Sequence, residues 1–363
     1  MLLNDVTLRE GDQMPGRDYT AEQKVKSARA LDELGLPFIQ PAFPASGEKD
    51  QSVIKALSDD TDAEIIGLAR AVERDVDAAV DAGADVVETF VPVSDLHLEH
   101  LLGKSREEML GMLVDTVDYI TNRGATPHVT LADAFRADPE HIVEVFETVP
   151  EVDFINLADS VGARTPASVQ THLDAIESDV SFDRVGVHFH NDMGCGTANA
   201  LTAYHAGVGK ADVSIASLGE RAGNSSLEEV IVACAVDDND TLGIETSNLI
   251  PVCQSVLDTI GEEWDERKAV LGKEISEHES SIHTAAMLSN PETLEPFDPG
   301  TFGGERRLIF GSATGSGGAQ RLLERANIEP DESTMERYLE VLATNGPVRL
   351  DEALNLAHKE FGK

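Results

Sequence analysis

Short β-branched or apolar runs recur through the N-terminal part of the chain, each followed by a stretch of helical periodicity, and this repeat leaves few folds open. Eight such runs fall near Leu2–Leu8, Pro37–Phe43, Glu64–Ala69, Val86–Val91, His128–Ala132, Asp153–Ala158, Arg184–His190 and Asp212–Ser217. Parallel strands joined by helices on short links close more naturally into an α/β (β/α)₈ barrel, a TIM barrel, than into an open sheet. The unit over residues 20–35 shows the pattern: Thr20 supplies an N-cap hydroxyl and Gly35 a stop. The repeat ends near Ala235, so residues 1–238 are expected to form the catalytic barrel. Residues 239–363 are expected to form a mostly helical C-terminal extension, a lid or dimerisation element.

Charge narrows the partners. Sixty-seven acidic residues against 28 basic ones give a formal charge of −39, spread along the chain, which argues against nucleic acid and anionic membranes. Acidic residues crowd presumed helix exteriors (Glu73, Asp75, Asp77, Asp81), a pattern expected of a halophilic protein kept soluble in concentrated salt. Cys195, Cys234 and Cys253 form no CxxC pair, the N-terminus lacks an apolar export core, and no run has the roughly 18 apolar residues of a membrane helix. A reducing cytoplasm is the expected setting.

Reacting groups in such a barrel sit at the C-terminal ends of strands. The first expected strand ends in TLREGDQ, with Arg9 and Glu10 leaving it side by side. The seventh ends in HFHND, where His188 and His190 are two apart and so share a face, a ready pair of imidazole ligands. After the eighth comes SLGERAGN, whose Asn224 carbonyl would sit beside those histidines. Glu10, His188, His190 and Asn224 together make a mixed oxygen and nitrogen set suited to Zn²⁺, Mn²⁺ or Mg²⁺. A fourth cluster, EHESSIHTAAML, places His278 and His283 on an expected helix outside the barrel, where surface histidines are ordinary.

Taken in order and spacing, TLREGDQMPG, HFHNDMG, SLGERAGN and ESSIHTAAMLSNPETLEPFDP resemble the isopropylmalate, homocitrate and citramalate synthases, members of a metallolyase superfamily that also holds the hydroxymethylglutaryl-CoA lyases. The resemblance runs through FDPGTFGGERRLIFG and so covers nearly the whole chain. It implies a divalent metal held by Glu10, His188 and His190, with Asn224 as ligand or near-ligand, chelating the keto oxygen and carboxylate of a 2-oxo acid. It further implies that Arg9 stabilises the oxyanion formed when the acetyl-CoA enolate attacks, and that His283, supplied in related dimers by the partner chain, assists proton transfer. A homodimer that binds acetyl-CoA and a 2-oxo acid is the implied assembly. Gln13, His128, Thr130 and Ser160 are the candidate substrate-binding residues.

Departures from the family pattern touch the acceptor. Glu10 stands where isopropylmalate synthases usually have Asp, and His128 and Ala132 replace the arginine and glutamate that homocitrate-type sequences carry on strand five. Gln40, Pro41 and Ser160 are further replacements. Without the arginine, a distal carboxylate loses its two-pronged donor, so a monocarboxylic acceptor is expected to compete with 2-oxoglutarate. The alternatives are a carbon–carbon lyase of the hydroxymethylglutaryl-CoA type and a non-catalytic paralogue that binds a 2-oxo acid.

Overall fold

A computed structural model describes residues 1–362. Eight parallel strands, β1 (Leu2–Asp5), β2 (Phe38–Ala42), β3 (Glu64–Arg70), β4 (Val86–Pro92), β5 (Thr126–Ala132), β6 (Ile155–Asp159), β7 (Val185–Phe189) and β8 (Lys210–Val213), pair in sequence order. β8 returns to β1 through Leu2↔Lys210 and Asp5↔Val213, closing the barrel. The expected (β/α)₈ architecture is present, with helices between the strands. Thr20 caps the helix Ala21–Asp32 in a reciprocal capping box with Gln23. Among the described residues, no helix is long and apolar enough to cross a membrane.

Two strands, β1 and β8, depart furthest from expectation, each for a local reason. β1 stops at Asp5, because the Asp5 carboxylate accepts both the backbone N–H (3.0 Å) and the hydroxyl (2.7 Å) of Thr7 and turns the chain into the short helix α1 (Thr7–Asp12). Arg9 and Glu10 therefore ride on a helical turn. β8 starts earlier, at Lys210, and ends at Val213, since Ala216 and Ser217 adopt positive φ (53° and 60°) and lead the chain away from the sheet.

The barrel interior is layered. Phe38, Ile66 and Val86, joined by Phe154, form an apolar plug at the N-terminal end. Above it lies a polar layer whose members bond across the barrel: Asn4 donates to Asp212 (2.8 Å), Asn156 lies 3.3 Å from Glu88 and 3.4 Å from Asp212, and the Lys210 ammonium lies 3.1 Å from Glu88. Gly186 on β7 is required here, because a Cβ at that position would lie 1.7 Å from Asn156 Oδ1.

A second buried charge group braces α1. Lys24, 1% exposed, donates to Asp50 at 2.9 Å and lies 2.8 Å from Asp12. Breaking a buried pair leaves uncompensated charge and costs about 3–5 kcal/mol. Lys24→Met is accordingly expected to lower the unfolding free energy read from denaturant melts by an amount of that order, and a wild-type midpoint and slope would show that the pair is energetically idle.

By internal contacts, one compact unit comprises Met1–Glu245 and Val252–Glu263, and a second comprises Thr246–Pro251 with Trp264 onward. The second unit has a small sheet of β9 (Glu277–His278), β10 (Arg307–Phe310) and β11 (Val348–Arg349), with β10 central. Its helices, among them Ser316–Arg325, Glu332–Asn345 and Leu350–Phe361, share a core containing Phe310, Leu322, Tyr338, Leu342 and Ala353. The region is mostly helical.

Candidate active site

A pocket of about 270 Å³ opens where the barrel strands end. Its wall takes Arg9, Glu10 and Gln13 from α1 and its C-cap, Glu88 and Phe90 from β4, Thr130 and Ala132 from β5, Ser160 just past β6, His188 and His190 at the end of β7, and Asp212 from β8. Seven of the residues singled out by sequence thus meet in one place.

The α1 turn presents Arg9 and Glu10 as an ion pair, both buried, and Arg9 Nε also donates to Gln40 Oε1 at 2.7 Å. Glu10 Oε1 lies 3.8 Å from His188 Nε2. The opposite ring nitrogen of His188 is 3.1 Å from Asp212 Oδ2, so Nδ1 carries the proton toward Asp212 and Nε2 faces Glu10. His190 stands edge-on to His188, ring centroids 5.0 Å apart, and its backbone bridges to Asn224. The turn that delivers Asn224 depends on Gly223 (φ 80°), where a Cβ would lie 1.6 Å from Ser217 O.

Electrostatics separate these groups. Burial would raise the Glu10 carboxyl, but the Arg9 guanidinium and the two imidazoles bring it down to about 2. Burial and the neighbouring His188 push His190 down to about 3, leaving a neutral imidazole. His188 is also buried, yet the hydrogen bond to Asp212 and the Glu10 charge raise it above its ordinary value. Two flanking carboxylates therefore favour positive charge at His188.

Three buried polar atoms here have no protein partner: Glu10 Oε2, His190 Nδ1 and Asn224 Oδ1. The Asn224 amide nitrogen is engaged with Leu218 O at 3.3 Å, which leaves the carbonyl end free. Orphaned buried atoms are costly, and a carboxylate, imidazoles and an amide oxygen are the donors a divalent cation takes. Among the described residues, no three His, Cys, Asp or Glu side chains already converge at ligating distance, because the Glu10 carboxylate is turned to Arg9. Chemically the donor set fits a metal, and the Glu10 side chain would have to swing from its ion pair to complete it.

Other expected residues lie apart. His128 is 2% exposed and below the pocket, edge-to-face with Phe38 (5.5 Å) and Phe154 (5.2 Å) and 3.4 Å from Lys210 Nζ. Burial drives it down to about 3, so it is neutral, and it is not part of the pocket wall. His283 lies exposed on the helix Ser281–Ser289 of the second unit. Thr130 donates to Glu88 (2.8 Å), while the Ser160 hydroxyl accepts from Asp133 N (2.8 Å). Sequence reasoning did not single out Glu88, Asp212 or Arg221. Arg221 (φ 57°) grips Asp192 with two nitrogens at 2.9 and 3.1 Å and reaches Ser160 O at 3.0 Å. It sat inside the quoted SLGERAGN motif, so the motif held the signal.

Comparison with known proteins supplies the family. Residues 1–256 match the HMGL-like family, and residues 270–346 match the homocitrate synthase post-HMGL domain-like family. Homocitrate synthase AksA of Methanopyrus kandleri is 36% identical, with 96% of this chain and 89% of that protein covered. The 2-isopropylmalate synthase of Sulfurisphaera tokodaii is 35% identical, with 99% and 95% covered. Among solved structures, hydroxymethylglutaryl-CoA lyase from Pseudomonas aeruginosa shares the fold at a TM-score of 0.66 and 18% identity, over 76% of this chain and 96% of that one. With the barrel and the post-barrel domain both matched over nearly its full length, the chain belongs to the family of 2-isopropylmalate and homocitrate synthases, acyltransferases that join an acyl-CoA to a 2-oxo acid.

Proposed function

We propose that this chain condenses acetyl-CoA with a 2-oxo acid that carries no second carboxylate, and then hydrolyses the thioester. The observation that carries the reading is a set of orphaned donors beside the Arg9 guanidinium: Glu10 Oε2 and His190 Nδ1 on residues of the pocket wall, and Asn224 Oδ1 on the turn bridged to His190. Glu10, His188, His190 and Asn224 would hold the divalent metal (Zn²⁺, Mn²⁺ or Mg²⁺), which when bound supplies Lewis-acid polarisation of the keto group. The acetyl α-carbon gives up a proton to His283 and bonds to the keto carbon, and the oxygen of that carbonyl takes the π electron pair as negative charge and then the proton. Arg9, oriented by its bond to Gln40, stabilises that oxygen. Asp212 fixes the ring of His188, and Thr130 and Ser160 border the acceptor's side chain. His283 is assigned the proton transfer, in a homodimer working in the cytoplasm. Water then cleaves the thioester to a carboxylate and free CoA thiol.

The acceptor reading rests on the wall. Leu68, Phe90, Ala132 and Ala158 face the pocket, and Ala132 stands where homocitrate-type sequences carry a glutamate. A short apolar side chain suits such a wall. Thiol release from acetyl-CoA, measured at high salt against a panel of 2-oxo acids, is expected to be faster with pyruvate or 2-oxoisovalerate than with 2-oxoglutarate. Release with 2-oxoglutarate alone would overturn the acceptor, and release with none of them would overturn the activity.

A further inference from the structure

The polar layer under the pocket holds a charge pair that the reaction does not use. Lys210 is fully buried, its ammonium 3.1 Å from Glu88 Oε2 and 3.9 Å from Asp212 Oδ1, and it lies over the rings of Phe38 (5.5 Å) and Phe154 (5.9 Å). Only the anionic side of this group meets the pocket, whose lining includes Glu88 and Asp212 but not Lys210. The two Glu88 oxygens divide the work: one takes the Lys210 ammonium from below, and the other accepts the Thr130 hydroxyl at 2.8 Å, level with the pocket floor.

From this arrangement we infer that the Glu88 carboxylate, seated on Lys210, is the specificity determinant that turns away 2-oxo acids bearing a second carboxylate. The inference deepens the acyltransferase reading and rests on it for the substrate class. Lys210 is shared between Glu88 and Asp212, and the neutral His128 ring supplies no further counter-charge, so the Glu88 oxygen turned toward Thr130 has no cation of its own. Thr130 already spends its proton on Glu88, leaving an incoming carboxylate with an anion in front of it where it would need a donor. A terminal methyl in the same place meets Phe90 and Leu68 without penalty. Lys210 matters because a buried carboxylate without a counter-charge takes up a proton, and a protonated Glu88 would become a donor and lose its discrimination.

The test compares two acceptors of equal carbon length, 2-oxopentanoate and 2-oxoglutarate, with the Mn²⁺-loaded full chain. Wild type is expected to favour 2-oxopentanoate in kcat/KM on the order of 100-fold, the scale of one unscreened like-charge contact at intermediate dielectric. Glu88→Gln keeps the shape and is expected to shrink that ratio by about 10-fold or more, chiefly through a gain on 2-oxoglutarate. The pair Glu88→Gln/Lys210→Met, which leaves no unpaired ammonium in the barrel, should show the same shift and guards against misfolding. Loss of both activities by the same factor in both variants, or an unchanged ratio, would overturn the inference and reduce the pair to scaffolding. Calorimetric titration of the two acids reads the ratio without turnover: should no acid release thiol, the acyltransferase reading falls, and equal affinity of wild type for the two acids would separately overturn the role of Glu88.

Discussion

Dialysis against a chelator is expected to bring thiol release to background, and Glu10→Ala to lower it by about 100-fold or more with loss of bound metal. The expectation follows from the division of labour at α1. Arg9 and Glu10 occupy neighbouring places on one helical turn and form an ion pair, so the carboxylate that would hold the metal and the guanidinium assigned to the substrate oxygen are presented together. Glu10→Ala removes the carboxylate from the donor set and leaves His190 Nδ1 and Asn224 Oδ1 without a charged companion. Protons should compete at His188, whose affinity for them is raised by Asp212 and Glu10, so metal retention should weaken as pH falls. Metal analysis by plasma emission on the same samples used for kinetics checks both statements. Full turnover by the metal-stripped protein would remove the metal from the mechanism.

His283→Ala is expected to lower kcat by about 100-fold, the range of a lost general acid or base, while melting temperature and metal content stay near wild type. His283 is exposed on its helix, next to Ile282 at 78% exposure, whereas the inward positions Thr284, Met287 and Leu288 carry the packing. A truncation at an exposed helical position costs little stability. An imidazole that only packs would give the opposite pair of results, early melting with normal turnover per folded molecule. Kinetics and calorimetric melting on one preparation separate the two.

The strands were readable because parallel barrel strands are short apolar runs between amphipathic helices, and each of the eight lies within or beside its expected run. The same burial hid what lay inside them. In Val86–Pro92 (VVETFVP) Glu88 and Thr89 are both buried side by side on opposite faces of the strand, so the segment alone does not say which of them faces the barrel axis. Lys210 follows Gly207-Val208-Gly209 and lies ahead of the expected strand, which begins at Asp212. Its partner Glu88 is 122 residues away, beyond the reach of any periodicity. The Asp5 turn was missed for a related reason, since an Asx cap two residues upstream competes with a strand that propensity alone would extend. His128 is legible as a departure from the family pattern but not in height: only the register β4 to β5, which sets it beside Glu88, places it one layer below Thr130.

The cross-barrel layer also constrains how such a protein can change over generations. Glu88, Asn156, Lys210 and Asp212 share partners, and Gly186 is kept bare to make room for Asn156. Residues that share partners do not contribute independently, and an exchange at one of them strands charge or volume at another. Lineages that swap the acceptor would therefore have to cross a valley of weakened intermediates or replace two or three of these positions nearly at once. Neighbouring wall residues such as Leu68 and Ala158, which carry no charge, remain free to drift singly and fine-tune side-chain length. The barrel floor would thus act as a ratchet on charge preference, and the rim as a dial on size.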